Sequence, residues 1–396
     1  MLIGIVGKPN VGKSTFFKAS TLAEVAIASY PFTTIKANEG VGFVKVKNSQ
    51  IELEGEPKPN HGFCIEGWRF IPVKLLDVAG LVPGAHKGKG LGNKFLDDLR
   101  QADVLIQVVD ISGMTDEEGK PTKDYDPAKD IKFLQEEIDK WFYGIIGQDW
   151  KMLLRKIQVT EAKPIEELAN KFSGLKITED MIKRAIKNCA LTDEFASWSD
   201  DDLFYFVQEL RKLSKPIIVA ANKCDISNTK DNLEKLKTEF PKTIIIPCSA
   251  ESELALREAA RDNKIKYVPG ANEFIIQDDK LNEKQKKALE FVKERILNIY
   301  GSTGVQECLN AAVFKLLKYI VVYPVENENH FTDARGNVLP DAFLMPTGST
   351  AIDLAYTIHT DIGNAFVAAI DAISHKRLAK NYQLKNGDII RIMTSK

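Results

Sequence analysis

Residues Gly7-Lys8-Pro9-Asn10-Val11-Gly12-Lys13-Ser14 set two glycines, a lysine and a hydroxyl at fixed spacing, directly after the apolar run Leu2–Val6. No other feature constrains the chain as tightly. Glycines at these positions let successive backbone N–H groups converge on an anion, and the helix that begins at Lys13 adds the positive end of its dipole. Strand, glycine loop and helix in this order form the first half of a βαβ unit and bind phosphate. Gly7, Lys8, Pro9, Asn10, Val11, Gly12, Lys13, Ser14 and Thr15 are therefore the expected nucleotide-binding residues of this segment. Lys13 neutralises the β and γ phosphates, and Ser14 ligates Mg²⁺.

The rest of the chain supplies strands at the intervals such a fold needs. Val41–Val46, Arg69–Leu76, Val104–Val109, Pro216–Ala221 and Thr243–Ile246 are short apolar or alternating runs. Pro72 marks its strand as an edge or an irregular start. Strands separated by helical patterns predict a doubly wound, parallel-rich α/β sheet. Between Asp110 and Pro216 the pattern is helical instead. Asp126-Pro127 opens one helix bearing Ile131, Leu134, Ile138, Trp141, Phe142 and Ile145. A second helix carries Trp150, Leu153, Leu154 and Ile157, a third Met181, Ala185, Ile186 and Cys189. Ser199, followed by three aspartates, caps a fourth with Leu203, Phe206, Val207 and Leu210 on its apolar face. The aromatic stripe reads as core packing. This places a helical insertion at about 112–213 inside an α/β domain spanning 1–317, after helices at 282–300 and 305–317. A β-rich tail, 318–396, begins with Tyr319–Pro324.

At 396 residues the chain is too long for one ordinary domain. A formal net charge of −1 excludes a global polyanion-binding character, so any nucleic-acid surface is a local patch. Five cysteines without a Cys-x-x-Cys spacing argue against zinc or a disulfide framework and for reduced thiols. No apolar run reaches the roughly 18 residues of a membrane span, and a strand at the very start leaves no place for a signal peptide. A cytoplasmic protein with no membrane partner is expected.

Further motifs follow the strands in order. Asp77-Val78-Ala79-Gly80 ends the third strand: Asp77 is placed to hold Mg²⁺ through water, and the Gly80 N–H to sense a γ-phosphate. Asn222-Lys223-Cys224-Asp225 ends the strand at 217–221. The Asp225 carboxylate can accept two hydrogen bonds, from guanine N1–H and the exocyclic amine, whereas adenine offers no such donor pair. The Lys223 stem can cover the base. Ser249 and Ala250, in Cys248-Ser249-Ala250, supply a backbone N–H for guanine O6. In Tyr30-Pro31-Phe32-Thr33-Thr34 a threonine can ligate Mg²⁺ when a γ-phosphate is present, and Thr34 is preferred. Lys13, Thr34 and Gly80 are the expected hydrolytic groups.

On these residues the chain resembles the Obg family of GTPases, and its YchF-like branch in archaea and eukaryotes. Asp77–Ala85 with Gly88, Gly90, Leu91, Gly92, Phe95 and Leu96 is similar to that family's glycine-rich second switch, and Tyr30–Thr34 to its first. The tail resembles a TGS domain, a β-grasp module, through Asp341–Pro346, Gly348–Ala355, His359, Gly363 and Asn386–Ile390. Two departures stand out. YchF proteins carry a glutamate where this chain has Asp225 and favour ATP; Asp225 restores the guanine reading. They also carry a hydrolytic histidine in the loop after the strand ending at Asp110, and 111–125 contains none. Leu81 stands where many GTPases have a water-orienting glutamine. His86 is one candidate substitute, or a loop residue without a role. Asn10 resembles a K⁺ ligand of glutamine-lacking GTPases, or merely shapes its loop.

The resemblance implies a Mg²⁺-dependent, slow GTPase acting as a switch on ribosomes or structured RNA, with no DNA partner. His375, Lys376, Arg377, Lys380, Lys385, Arg391 and Lys396, opposed mainly by Asp388, are the basic residues expected to meet RNA. A YchF-like ATPase in stress signalling and a non-catalytic nucleotide-gated binding module are the alternatives.

Overall fold

The phosphate-loop strand sits near the middle of a parallel sheet, and the register of that sheet fixes everything around it. The computed structural model describes residues 1–22, 38–48, 55–78, 80, 92–160, 163–227, 229–277 and 281–395. In chain order these form β1 (Leu2–Val6), α1 (Lys13–Thr21), β2 (Glu39–Lys47), β3 (Phe63–Ile65), β4 (Trp68–Asp77), α2 (Gly92–Gln101) and β5 (Val104–Asp110). The helices α3 (Ala128–Thr160), α4 (Pro164–Lys171), α5 (Glu179–Asn188) and α6 (Asp200–Ser214) follow. Then come β6 (Ile217–Asn222), α7 (Thr229–Glu239), β7 (Ile245–Pro247), α8 (Ala250–Arg261) and the hairpin β8 (Ile265–Lys266) and β9 (Ile275–Ile276).

The sheet order is β2-β4-β1-β5-β6-β7, with β3 antiparallel on the start of β4. Pairings from β4 through β7 are parallel, with Ile5 opposite Asp77, Val6 opposite Gln107, and Asp110 opposite Asn222. The carboxyl ends of these strands therefore line up. Every residue of β5 is buried, as expected of a parallel strand covered on both faces. Of the two readings of Pro72, an edge or an irregular start, the edge is corrected: β4 lies inside the sheet. Pro72 falls between the stretch that pairs with β3 (to Phe70) and the stretch that pairs with β1 (from Lys74), where its missing N–H interrupts neither ladder.

The insertion expected at about 112–213 is helical, with one difference. The two helices expected on either side of 146–149 are a single helix, α3, of 33 residues. Gly144 and Gly147 do not break it, because Phe142, Ile146, Trp150 and Leu153 all bury on the same core. Asp126 accepts from the Ala128 N–H at 3.0 Å, so the cap ahead of Pro127 is where the sequence put it. Ser199 caps α6 in a reciprocal capping box with Asp202. The insertion has no separate core: Val6, Phe95 and Leu99 share one cluster with Leu134, Ile138, Trp141, Phe142 and Phe206. Trp150, Phe195, Trp198 and Phe206 close it with ring contacts of 4.8–6.5 Å.

After α9 (Glu283–Val292), a π-helical stretch at Lys293–Leu297 leads into α10 (Asn298–Tyr300), and α11 (Val305–Asn310) continues as a second π stretch, Ala311–Leu316. The tail comprises β10 (Tyr319–Val325), β11 (Phe343–Pro346), α12 (Ala351–Ile358), α13 (Thr360–Asn364), β12 (Phe366–Asp371), β13 (Arg377–Leu378) and β14 (Ile389–Thr394). Its sheet order is β11-β10-β14-β12-β13, with β10 and β14 parallel and the other pairs antiparallel. Helix α12 packs on this sheet through Ala351 and Leu354, against Val322, Met345, Ala369 and Ile390. This is the β-grasp arrangement of a TGS domain.

By contact density the described residues form two compact units, one of Met1–Ser20 and Lys74–Cys308, the other of Val41–Val73 and Leu309–Lys396. Within the second unit, Lys58 and Asn60 donate backbone N–H groups to Val338 and Pro340 at 3.0 and 2.8 Å. The fully buried Arg69 donates to the carbonyls of Leu339 and Pro340 at 2.6 and 3.2 Å. Asn310 receives the Lys45 N–H and donates to the Lys45 carbonyl, both at 2.8 Å, and so satisfies both backbone groups of that β2 residue with a side chain. His375, Lys376, Arg377, Lys380 and Lys385 are exposed. Arg391 is not free for the same surface, since it pairs with Glu328 at 2.6 Å. Lys396 lies outside the described residues.

Core position and cap should differ in cost. Phe206→Ala, at a fully buried ring, is expected to lower stability by about 3–5 kcal/mol. Ser199→Ala should lower it by about 1 kcal/mol. Urea denaturation of the three proteins checks this; equal losses would show that the insertion does not share the G-domain core.

Candidate nucleotide site

The loop after β1 is shaped by contacts that only its own residue types tolerate. Asn10 has φ 65° and Gly12 φ 90°, in the left-handed region open to asparagine and glycine. A Cβ on Gly12 would sit 2.3 Å from Asn222 Nδ2, and one on Gly7 2.7 Å from the Val108 carbonyl. The loop thus lies directly on the carboxyl ends of β5 and β6. There it borders a cavity of about 530 Å³, within the range of small-ligand sites. Pro9, Asn10, Gly12, Lys13, Ser14 and Thr15 line one part, with Gly80; Asn222, Lys223, Asp225 and Ala250 line another. Sequence reasoning placed all of these. It missed Ile226 and Glu251, which also line the cavity and carry no motif signal.

Asn222 joins the two parts. Its Nδ2 donates to the Val11 carbonyl at 2.8 Å, and its Oδ1 accepts from Ala250 N at 3.0 Å. The residue is buried, and its carboxamide is spent on holding loops. Ser249 N donates to the Thr303 carbonyl at 2.9 Å. The N–H groups that the sequence offered to a base therefore have protein partners here, and a base oxygen would share or replace one. Asp225 is half-buried at the cavity wall.

Three lysines take different paths. Lys13 pairs with Asp77, which brings the end of β4 to the start of α1. Lys223 has φ 65° and donates to the Asn10 carbonyl at 2.9 Å and to Asp110 at 2.7 Å. Burial alone would raise the Asp110 carboxyl; hydrogen bonds from Lys223 and Ser112 outweigh it and hold the group below its usual range. Lys8 points away from the phosphate loop. Its ammonium is buried against Asp130 at 2.8 Å and the Thr115 carbonyl at 2.9 Å, 4.0 Å from the centre of the Tyr125 ring. The sequence grouped Lys8 with the nucleotide loop; Lys8 borders the cavity, and its ammonium fastens that loop to the start of the insertion. Asn10 does the same from the other end, its Nδ2 donating to the Gly119 carbonyl at 2.9 Å. A Cβ on Gly119 would sit 2.5 Å from the Pro9 carbonyl.

Ser14 and Asp77 offer hydroxyl and carboxylate oxygens, the donors that suit Mg²⁺, which typically binds through one or two protein groups plus phosphates. Among the described residues no group of three or more His, Cys, Asp or Glu is gathered to hold a metal alone. Thr34, Leu81 and His86 lie outside the described residues, as does most of the glycine-rich second switch.

Similarity to known proteins bears on this geometry. The 50S ribosome-binding GTPase family matches residues 2–146, the Obg-like GTPase YGR210-like, G4 motif-containing domain matches 220–327, and the TGS domain matches 335–394. A GTP-binding protein of Methanocaldococcus jannaschii is 51% identical over 395 residues, covering 100% of this chain and 99% of its own. The chain belongs to the Obg-like/YchF family of GTP-binding proteins. The crystal structure of a GTP-binding protein from Pyrococcus horikoshii OT3 has 40% identity and a TM-score of 0.81, over 100% of both chains. The ribosome-binding ATPase YchF of Buchnera aphidicola subsp. Acyrthosiphon pisum is 27% identical over 98% of each chain. In this Obg-like/YchF protein the cavity described above is lined by both the glycine loop after β1 and the Asn222–Asp225 segment. No described helix is long and apolar enough to cross a membrane.

Cutting the link between the loops should be costly. Asn222→Ala removes two buried hydrogen bonds and is expected to lower stability by about 1–3 kcal/mol and to weaken guanine-nucleotide binding. Denaturant melts and titration with a fluorescent GDP measure both. Unchanged melting with unchanged affinity would show that the loops are held by other contacts.

Proposed function

We propose that this chain is a GTP/GDP switch that hydrolyses GTP slowly with Mg²⁺ and acts on the ribosome or on structured RNA in the cytoplasm. One observation carries the reading: a single cavity is lined both by the Gly7–Thr15 loop and by Asp225. The loop offers N–H groups and the Lys13 charge to phosphates. The Asp225 carboxylate offers two acceptors to guanine N1–H and its exocyclic amine. An adenine there leaves the carboxylate facing an acceptor nitrogen, a mismatch worth far more than a missing contact.

In this reading the functional parts are a G domain over 1–317 with its helical insertion and a β-grasp tail over 318–396. Ser14, Thr34 and, through water, Asp77 would hold Mg²⁺, which supplies charge compensation at the β and γ phosphates. Lys13 adds to that charge, and the Gly80 N–H senses the γ-phosphate. Leu81 has no polar atom to orient water, so turnover is slow. His86 is one candidate for that task. Asn10 is a candidate K⁺ ligand through Oδ1, its Nδ2 being engaged with Gly119; the same bond supports a purely loop-shaping role.

Side-by-side titration and turnover with GTP and ATP test the proposal. GTP and GDP should bind at least tenfold more tightly than ATP, and Asp225→Asn should shift preference toward xanthosine nucleotides. Lys13→Ala should abolish turnover. Exchanging Na⁺ for K⁺ should raise the rate in the natural protein and not in Asn10→Ala. Equal affinity for ATP and GTP would favour the ATPase reading suggested by the Buchnera relative's name. Tight GTP binding without turnover would favour a non-catalytic module.

The partner rests on the ribosome-binding description of the matching family and on the exposed cations of the tail. His375, Lys376, Arg377, Lys380 and Lys385 occupy a stretch with no acidic residue between Asp371 and Asp388. Such a surface binds phosphate in a salt-dependent way. The protein should co-sediment with ribosomal particles more strongly with a GTP analogue than with GDP. Charge reversal at Lys376 and Arg377 should weaken that without altering GTP affinity. No co-sedimentation in either nucleotide state at low salt would leave the tail as a protein-binding module.

A further inference from the structure

Glu253 lies in the first turn of α8, three residues beyond Ala250, and is fully buried. Its carboxylate is surrounded by donors. Oε1 accepts from Arg257 Nε at 2.5 Å, and Oε2 accepts from the Tyr267 hydroxyl at 2.7 Å and from the Thr303 hydroxyl. Burial, then the Glu253 charge, pushes the Tyr267 phenol well above its ordinary range, so it remains a donor throughout neutral pH. A buried carboxylate with this many partners is expensive to assemble and fixes the geometry of whatever it holds.

What it holds is the turn at the cavity. The backbone carbonyl of Thr303 accepts from Ser249 N at 2.9 Å. Gly304 follows with φ 81°, and a Cβ there would lie 2.0 Å from the Pro247 carbonyl. Residues 303–304 therefore run directly along the Pro247–Ser249 backbone. Ala250 N is fixed from the opposite side by Asn222 Oδ1 at 3.0 Å. Two anchors hold this turn. One belongs to the recognised motif; the other, Glu253 with Thr303, belongs to none.

We propose that Glu253 is the positioning residue for recognition of the guanine 6-oxygen, acting through Thr303 and the Ser249 backbone to hold the Ala250 N–H at the nucleotide cavity. The inference rests on the guanine reading given under Proposed function. It divides base recognition in two: Asp225, at the end of β6, meets N1–H and the 2-amine, and the α8 turn meets O6. The halves answer to different supports, so they separate experimentally.

The full chain is titrated with GDP, ADP, 6-thio-GDP, which keeps N1–H and the amine but has a poorer acceptor at position 6, and IDP, which lacks the amine. The natural protein should favour GDP over 6-thio-GDP by about tenfold, the worth of one good hydrogen bond. In Glu253→Gln that ratio should fall to about 1–3, while the GDP-to-IDP ratio stays unchanged. A merely structural role would weaken every nucleotide alike. Thr303→Val should give the same selective loss in a gentler form, and Thr303→Ser, which keeps the hydroxyl, should restore it. If the natural protein does not prefer GDP to ADP, the guanine reading itself fails. If it does, but both ratios survive in Glu253→Gln and Thr303→Val, the role assigned to Glu253 is wrong.

Discussion

The carboxamide of Asn222 is the interaction on which the site depends. It stands at the end of β6 and ties the phosphate loop, through Val11, to the turn that opens α8, through Ala250. A carboxamide presents N–H donors and a carbonyl acceptor in fixed relation, so one side chain bonds a carbonyl on one loop and an N–H on another. Gly12 makes the approach possible, because any side chain there would displace that amide. The spacing between the Gly7–Thr15 loop and the α8 turn is thus set by the protein itself.

Around this bond the structure spends buried charge, and each charge is paired. Lys8 with Asp130, Lys223 with Asp110, and Arg257 with Glu253 all lie at or near the cavity, with side chains from fully buried to about one-quarter exposed. Such pairs contribute little net stability, since desolvation offsets their attraction, but removing one partner leaves an uncompensated charge. Their value here is geometric. Lys8 and Asn10 fasten the phosphate loop to the insertion and to the segment that carries Gly119. Arg257 and Glu253 hold the α8 turn. The insertion is accordingly part of the G-domain core through Phe95, Leu99 and Phe142 rather than an appendage.

The second unit shows the same economy with backbone groups. Arg69, fully buried, gives two of its donors to the carbonyls of Leu339 and Pro340, and Asn310 satisfies both backbone groups of Lys45. Side chains distant in sequence complete hydrogen bonds that local structure leaves open, which is why Val41–Val73 groups with the tail.

Much of this was legible in the sequence. The strand before Gly7, the apolar runs that became β5 and β6, the Ser199 cap and the motif residues that line the cavity, from Lys8 to Ala250, are local signals: spacing, periodicity and turn chemistry act over a few residues, and the chain states them directly. Where the sequence erred, the deciding force was not local. It split α3 in two near Gly144 and Gly147, although the apolar residues keep helical spacing across them; a shared core carries the helix through. It read Pro72 as an edge or an irregular start because a proline lacks a donor; the strand is not an edge, and the gap between two pairing segments of β4 absorbs that lack. It counted Lys8 among the loop residues, and Lys8 does line the cavity, but nothing local shows that Asp130, more than a hundred residues away, holds its ammonium. Glu253 carried no signal at all, since a glutamate in the first turn of a helix usually faces solvent. Which motif residues could gather at one cavity was legible in the sequence. What each side chain does there was decided only by tertiary structure, because a buried hydrogen bond or ion pair depends on a partner that the fold, and not the neighbouring residues, brings within 3 Å.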